Sequence, residues 1–173
     1  MRVLVAYASK RGSTREVAEA VAGALAEDGL DVETRAADEV DDLTPYAGVV
    51  LGGGLYMGRW HKDARRFIAQ YRKALRDMPV AVFAMGPDKM DAEKVAGSRA
   101  QLDRALAKVP EIEPISVAIF GGVVDPSMFP FPLNRIPASD ARDWDAIRTW
   151  ADEVGAVLAG GDRAPRTTGA PSV

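Results

Sequence analysis

The chain contains no cysteine, only one histidine (His61), no run of 18 or more apolar residues and no dominance of either charge. Without cysteine, disulfides, thiolate metal sites, iron–sulfur clusters and a cysteine nucleophile are all excluded. A Ser-His-Asp triad would have to be built on His61, and a zinc site would have to rely on carboxylates. No membrane-spanning segment is expected. The start Met1-Arg2-Val3-Leu4-Val5-Ala6 enters a strand directly, with no signal-peptide pattern, so a cytoplasmic location is expected. Net charge is −3, which leaves no global basic field for nucleic acid.

What is present fits one ordinary domain: 173 residues, 47% hydrophobic and 27% charged. A chain this poor in reactive groups is expected to take its chemistry from a cofactor; no catalytic residue and no metal ligand set stands out. The charge is unevenly spread. Acids crowd Glu27 to Asp42, bases crowd Arg59 to Arg76, and both stretches read first as solvated faces.

Arg2 to Tyr7 reads as a buried strand, followed by a small polar loop and a helix carrying Val17, Val21, Ala24 and Leu25 up to Gly29. Further strands are expected at Asp31 to Ala36, Ala47 to Leu51, Val80 to Met85 and Ile115 to Phe120. Helices are expected from Lys62 to Arg76, from the capping residue Asp91 toward Val109, and along a stripe of Trp144, Ile147, Ala151, Val154 and Leu158. Strands alternating with helices predict an α/β fold, an open parallel sheet with helices on both faces. The domain is expected to span residues 1–159, with a flexible tail at 160–173 rich in Gly, Pro, Arg and Thr.

In such sheets the ligand lies beyond the carboxyl ends of the strands, so the loops there carry the functional reading. The first is Ser9-Lys10-Arg11-Gly12-Ser13-Thr14. Its hydroxyls, cations, flexible glycine and helix N-terminus suit a phosphate. It lacks the glycine spacings of a Walker loop or a dinucleotide fingerprint. The competing reading is a capping box, because Ser13 and Glu16 stand in the Ser-x-x-Glu relation. The second loop, Gly52-Gly53-Gly54-Leu55-Tyr56-Met57-Gly58-Arg59-Trp60, combines glycines that admit a flat ring with aromatics able to stack on it. A ring joined to a phosphate is a flavin mononucleotide, FMN. Tyr56 and Trp60 read equally as core anchors of the next helix. The third loop contributes Gly86, Pro87 and Asp88.

Tyr7-Ala8-Ser9-Lys10-Arg11-Gly12-Ser13-Thr14 resembles the phosphate loop of flavodoxins. Gly54-Leu55-Tyr56-Met57-Gly58-Arg59-Trp60-His61, Phe120-Gly121-Gly122-Val123-Val124-Asp125 and Arg142-Asp143-Trp144-Asp145-Ala146-Ile147 are similar to the flavodoxin-like branch that contains menaquinone-dependent protoporphyrinogen oxidase. The resemblance spans residues 1–158. It implies a flavodoxin-like, three-layer, doubly wound sheet of five strands in the order 2-1-3-4-5, with non-covalent FMN on the three loops. It also implies an electron-transferring partner, either a redox protein or a small quinone or porphyrinogen. Two readings stand side by side, an FMN-dependent oxidoreductase with an apolar substrate and a carrier that serves a reductase and an acceptor. The loop Met85 to Met90 lacks the aromatic that many flavodoxins place over the second flavin face. Where that branch carries a long basic insertion, Asp125 to Asp140 has one base, Arg135. The apolar stretch from Pro126 to Pro137 reads either as packed on the domain through Phe129, Phe131 and Leu133 or as a lid over the flavin.

Overall fold

The computed structural model describes residues 1–160; the expected tail at 160–173 lies, but for its first residue, outside them. Five parallel strands form the central sheet: β1 (Arg2–Ala8), β2 (Asp31–Ala36), β3 (Gly48–Tyr56), β4 (Val80–Met85) and β5 (Ser116–Phe120), in the order β2-β1-β3-β4-β5. This is the 2-1-3-4-5 arrangement that the resemblance to flavodoxins implies. Its switch point lies between β1 and β3, where the order reverses, and that is where such a sheet opens a crevice.

The strands are near-continuous apolar runs because both faces are covered. Helices α1 (Ser13–Glu27) and α5 (Trp144–Gly160) cover one face, with Val17, Val21, Leu25, Ile147, Trp150 and Val154 turned inward. On that face Phe83, Phe120 and Trp150 pack ring against ring, and the Trp150 indole donates to Ser116 Oγ at 2.8 Å. Helices α2 (Lys62–Gln70), α3 (Arg72–Arg76) and α4 (Ala92–Leu106) cover the other, around Trp60, Phe67, Leu75 and Leu102.

Four local expectations are corrected. The strand placed at Ala47 to Leu51 runs on to Tyr56, through the glycines read as a loop. Gly52 and Gly53 sit mid-ladder because large side chains occupy their faces: a Cβ on Gly52 would lie 2.0 Å from the Phe83 ring, and one on Gly53 2.8 Å from Trp60 Nε1. The helix expected from Lys62 to Arg76 breaks at Tyr71, whose hydroxyl donates to the Val40 carbonyl at 2.6 Å. Trp144, placed on the buried stripe of the last helix, is exposed and lies beneath the Arg142 guanidinium; Trp150 is the buried tryptophan of that helix. Finally, of the side chains read as packing Pro126 to Pro137 on the domain, only Phe129 is half-buried, beneath the Arg11 guanidinium. Phe131 is 70% exposed and Leu133 52%.

Candidate functional site

Three loops meet at the carboxyl edge of the sheet. In the first, Gly12 caps α1 with φ 90°, a left-handed conformation that glycine adopts without strain. Its amide donates to Ser9 Oγ at 2.9 Å, which folds Ser9 to Gly12 into a tight turn. No side chain caps the helix, so the first-turn amides of Ser13, Thr14 and Arg15 are without an acceptor among the described residues. The capping-box reading is thereby overturned: Ser13 is the first helical residue, and Glu16 is engaged by Arg142 rather than by the Ser13 amide. Thr14 is 2% exposed, and its hydroxyl is bonded to no described residue. Uncapped amides, a helix dipole and a free hydroxyl form an anion cradle.

In the second loop, Leu55-Tyr56 pairs antiparallel with the two-residue strand Arg59–Trp60. The connection has Met57 at φ 51° and Gly58 at φ 75°, the positive pair that a two-residue hairpin turn with right-handed strand twist requires. Tyr56 is half exposed with Lys10 Nζ 4.3 Å from its ring centroid, so the first two loops touch. Of the two readings of Trp60, ring contact and core anchor, the geometry has the second. It is 1% exposed and donates from Nε1 to the Gly53 carbonyl at 3.1 Å, which makes it the core anchor of the hairpin. Gly53 is glycine on that account, since a Cβ there would lie 2.8 Å from Nε1. Of the three glycines only Gly54 faces open space, where a Cβ would meet Thr14 Oγ1 at 3.7 Å and nothing else.

The third loop is tied to its neighbour: the Gly86 amide donates to Phe120 O at 2.9 Å, and Gly122 N donates to Pro87 O at 2.8 Å. Gly86 and Pro87 therefore have their main chains committed, and Pro87 is buried. Asp88 is exposed and paired with Lys94, which holds its carboxyl below the usual range. Between hairpin and third loop opens a pocket of about 400 Å³, bordered by Leu55, Gly58, Gly86, Asp88, Ser98 and Gln101. That volume suits a small planar ligand. Ser98 and Gln101 of α4 were not among the residues singled out from sequence. A signal existed, because Ser98 is the polar member of the buried stripe Ser98, Leu102, Ala105.

His61 caps α2, its Nδ1 accepting from the Asp63 amide at 3.1 Å, so the neutral ring carries its proton on Nε2. Burial pushes its pKa below the usual histidine value, helped by Lys10 and Lys62 and opposed by Asp63. The unfolded chain takes up the proton first. Stability is therefore full above about pH 6.5 and declines as pH falls from there toward the lower folded-state pKa. Denaturant midpoints between pH 8 and pH 5 are expected to show that decline, and His61→Asn, which keeps an acceptor at the cap, is expected to remove it. The cations left around the two loops are Lys10, Arg11, Arg59 and Lys62, all exposed.

Arginine 142 joins this edge together. It bonds Asp140 and Glu16 at once and so ties the segment after β5 to the first turn of α1. Both acids hold it firmly protonated, Asp140 more strongly.

Comparison with known proteins agrees with this geometry. Residues 4–135 match a family model described as a flavodoxin domain. A flavodoxin from Pseudomonas aeruginosa, a cysteine-to-serine mutant, superposes with a TM-score of 0.62 at 18% identity, over 92% of this chain and 100% of that one. Oxidised flavodoxin 1 from Bacillus cereus gives 0.58 at 17%, over 89% and 97%. Among curated proteins, the protoporphyrinogen IX dehydrogenase [quinone] of Escherichia coli K12 is 25% identical over 87 residues, 49% of this chain and 48% of that protein. The chain thus spans about half the length of the curated relatives it matches. Among the described residues no helix is long and apolar enough to cross a membrane, and no group of residues is arranged to hold a metal ion. The chain belongs to the flavodoxin-domain family, whose cofactor is FMN and whose work is electron transfer.

Proposed function

We propose that the chain binds FMN non-covalently across the three loops and exchanges electrons with a flat, apolar organic molecule of the quinone class. The phosphate is assigned to the Ser9 to Thr14 loop: Thr14 Oγ1 and the amides of Ser13 and Thr14 donate to it, Lys10 and Arg11 supply charge, and the Ser9–Gly12 turn holds the loop's shape. The ring is assigned to the space bordered by Gly54, Leu55, Tyr56, Met57, Gly58 and Asp88, with Gly53 and Trp60 supporting it from beneath and Gly86 and Pro87 bracing the far side. FMN supplies the one- and two-electron chemistry; the protein orients it, limits its access to water and tunes it electrostatically.

The observation that carries an organic substrate is the third loop, Met85 to Met90, which has no aromatic to cover the outer face of a ring seated there and so leaves that face open to a flat molecule. The curated relative that names a quinone points the same way. A carrier without a substrate is favoured by the single base, Arg135, in the stretch from Asp125 to Asp140, where a long basic insertion was expected for the enzyme branch. The two readings separate in one experiment. FMN-loaded, dithionite-reduced protein, freed of excess reductant, is mixed anaerobically with a water-soluble naphthoquinone. An oxidoreductase reoxidises in saturable fashion as quinone rises; a carrier reoxidises slowly and without saturation.

The surplus of exposed cations beside the ring loop should stabilise negative charge on reduced flavin. Arg59→Glu is expected to lower the flavin reduction potential by on the order of tens of millivolts, more at low salt than at high. A redox titration at two ionic strengths checks both size and sign.

A further inference from the structure

Beyond the cofactor site, the residues after β5 form an arm. Val123–Val124 pairs antiparallel with Ser139–Asp140, and residues 125–138 make its tip. The base is rigid: a Cβ on Gly121 would meet the Ala141 carbonyl at 2.0 Å, and Arg142 pins Asp140 to Glu16. The tip is apolar and open, with Phe131 70%, Leu133 52%, Met128 49% and Ile136 37% exposed. Apart from Arg135 over the Phe131 ring, no described residue shields them enough to bury them.

The charges around the tip indicate what does. Positions 126–139 hold no acid. The flanking acids are engaged, Asp125 by the amide and hydroxyl of Ser127 and Asp140 by Arg142. Two guanidinium groups lie on tip aromatics, Arg135 over Phe131 at 5.0 Å and Arg11 over Phe129 at 4.1 Å. An acid-free projection with Arg135 on its outermost aromatic ring complements an anionic phosphate-rich interface even though the chain as a whole has net charge −3. A narrow tip on a two-residue-stranded stem offers too little flat area for a stable protein dimer, whereas a bilayer interface accepts a few apolar side chains at a time.

We propose that this tip docks the protein on anionic phospholipid surfaces, inserting Met128, Phe131, Leu133 and Ile136 among the headgroups while Arg135 meets lipid phosphate. The arm leaves the carboxyl end of β5, the edge that carries the three loops, so docking turns that edge toward the lipid. The proposal does not depend on which molecule exchanges electrons with the cofactor.

The test is co-sedimentation of the full FMN-loaded chain with vesicles of phosphatidylcholine alone or with about one third phosphatidylglycerol. The wild type is expected to pellet with the anionic vesicles and much less with the neutral ones. Phe131→Ser combined with Leu133→Ser is expected to cut anionic-vesicle partitioning by about tenfold or more. Arg135→Glu is expected to weaken binding to anionic vesicles while leaving the weak neutral binding unchanged. Circular dichroism and retained flavin absorbance show that the variants are folded and loaded. The proposal is overturned by a wild type that pellets with neither vesicle or by variants that pellet as it does. It is equally overturned if light scattering shows a dimer that the double variant dissolves, which would mean a second copy covers the tip, or if the double variant sheds its flavin, which would mean the side chains face the cofactor.

Discussion

Thr14→Val is expected to weaken FMN binding by about tenfold to hundredfold while leaving the fold intact. Valine matches threonine in shape, and the Thr14 hydroxyl is bonded to no described residue, so the free protein loses no internal hydrogen bond. The hydroxyl is positioned for a ligand instead: it lies in the first turn of a helix with no side-chain cap, facing the one glycine of β3 with open space over it. A hydrogen bond to a charged phosphate contributes more than one between neutral groups, and its loss leaves that charge less well solvated. Fluorescence-quenching titration with FMN measures the change. An unchanged affinity with normal unfolding would show that the cradle holds something other than the phosphate.

Gly52→Ala is expected to destabilise the fold by about 3 kcal/mol or more. A Cβ at this position would stand 2.0 Å from Cζ and 2.4 Å from both Cε atoms of Phe83, whose ring is fully buried against Phe120 and Trp150. The ring has nowhere to move, because α1 and α5 close that face. Truncating the obstacle should relieve the clash, so Gly52→Ala combined with Phe83→Leu is expected to be more stable than the sum of the two single losses predicts. Urea denaturation of the four proteins closes the cycle. Simple additivity would mean that the strand shifts to accommodate the methyl group and that Gly52 is not glycine for the ring's sake.

That second case shows where sequence reading reached its limit. Five apolar runs separated by helical periodicities carried the parallel sheet, which depends on local pattern and on the handedness of crossovers, while its strand order came only with the resemblance to flavodoxins. The Ser9 to Thr14 loop, to which we assign the phosphate, stood out for the same reason: hydroxyls, cations and a glycine within six residues, directly before a helix. Gly52-Gly53-Gly54 misled because glycine composition signals a loop, while all three lie in β3, and Gly52 and Gly53 answer to Phe83 and Trp60, residues 31 and 7 positions away. Ser98, Arg142 and the exposure of Phe131 were hidden for a related reason. Each acquires its meaning from a partner, or from the lack of one, that only the folded chain brings to its side. Trp60 reads equally as a stacking aromatic and as a core anchor until its indole is seen donating inward to Gly53 O.

The central claim is that the carboxyl edge of the sheet holds FMN by its phosphate and by its ring. The most direct measurement is titration of apoprotein with FMN and, in parallel, with riboflavin, followed by flavin fluorescence. One FMN per chain is expected to bind with saturation, and riboflavin, which lacks the phosphate, at least about a hundredfold more weakly. Equal affinity for the two flavins would contradict the phosphate cradle, and failure to take up either would contradict the account as a whole.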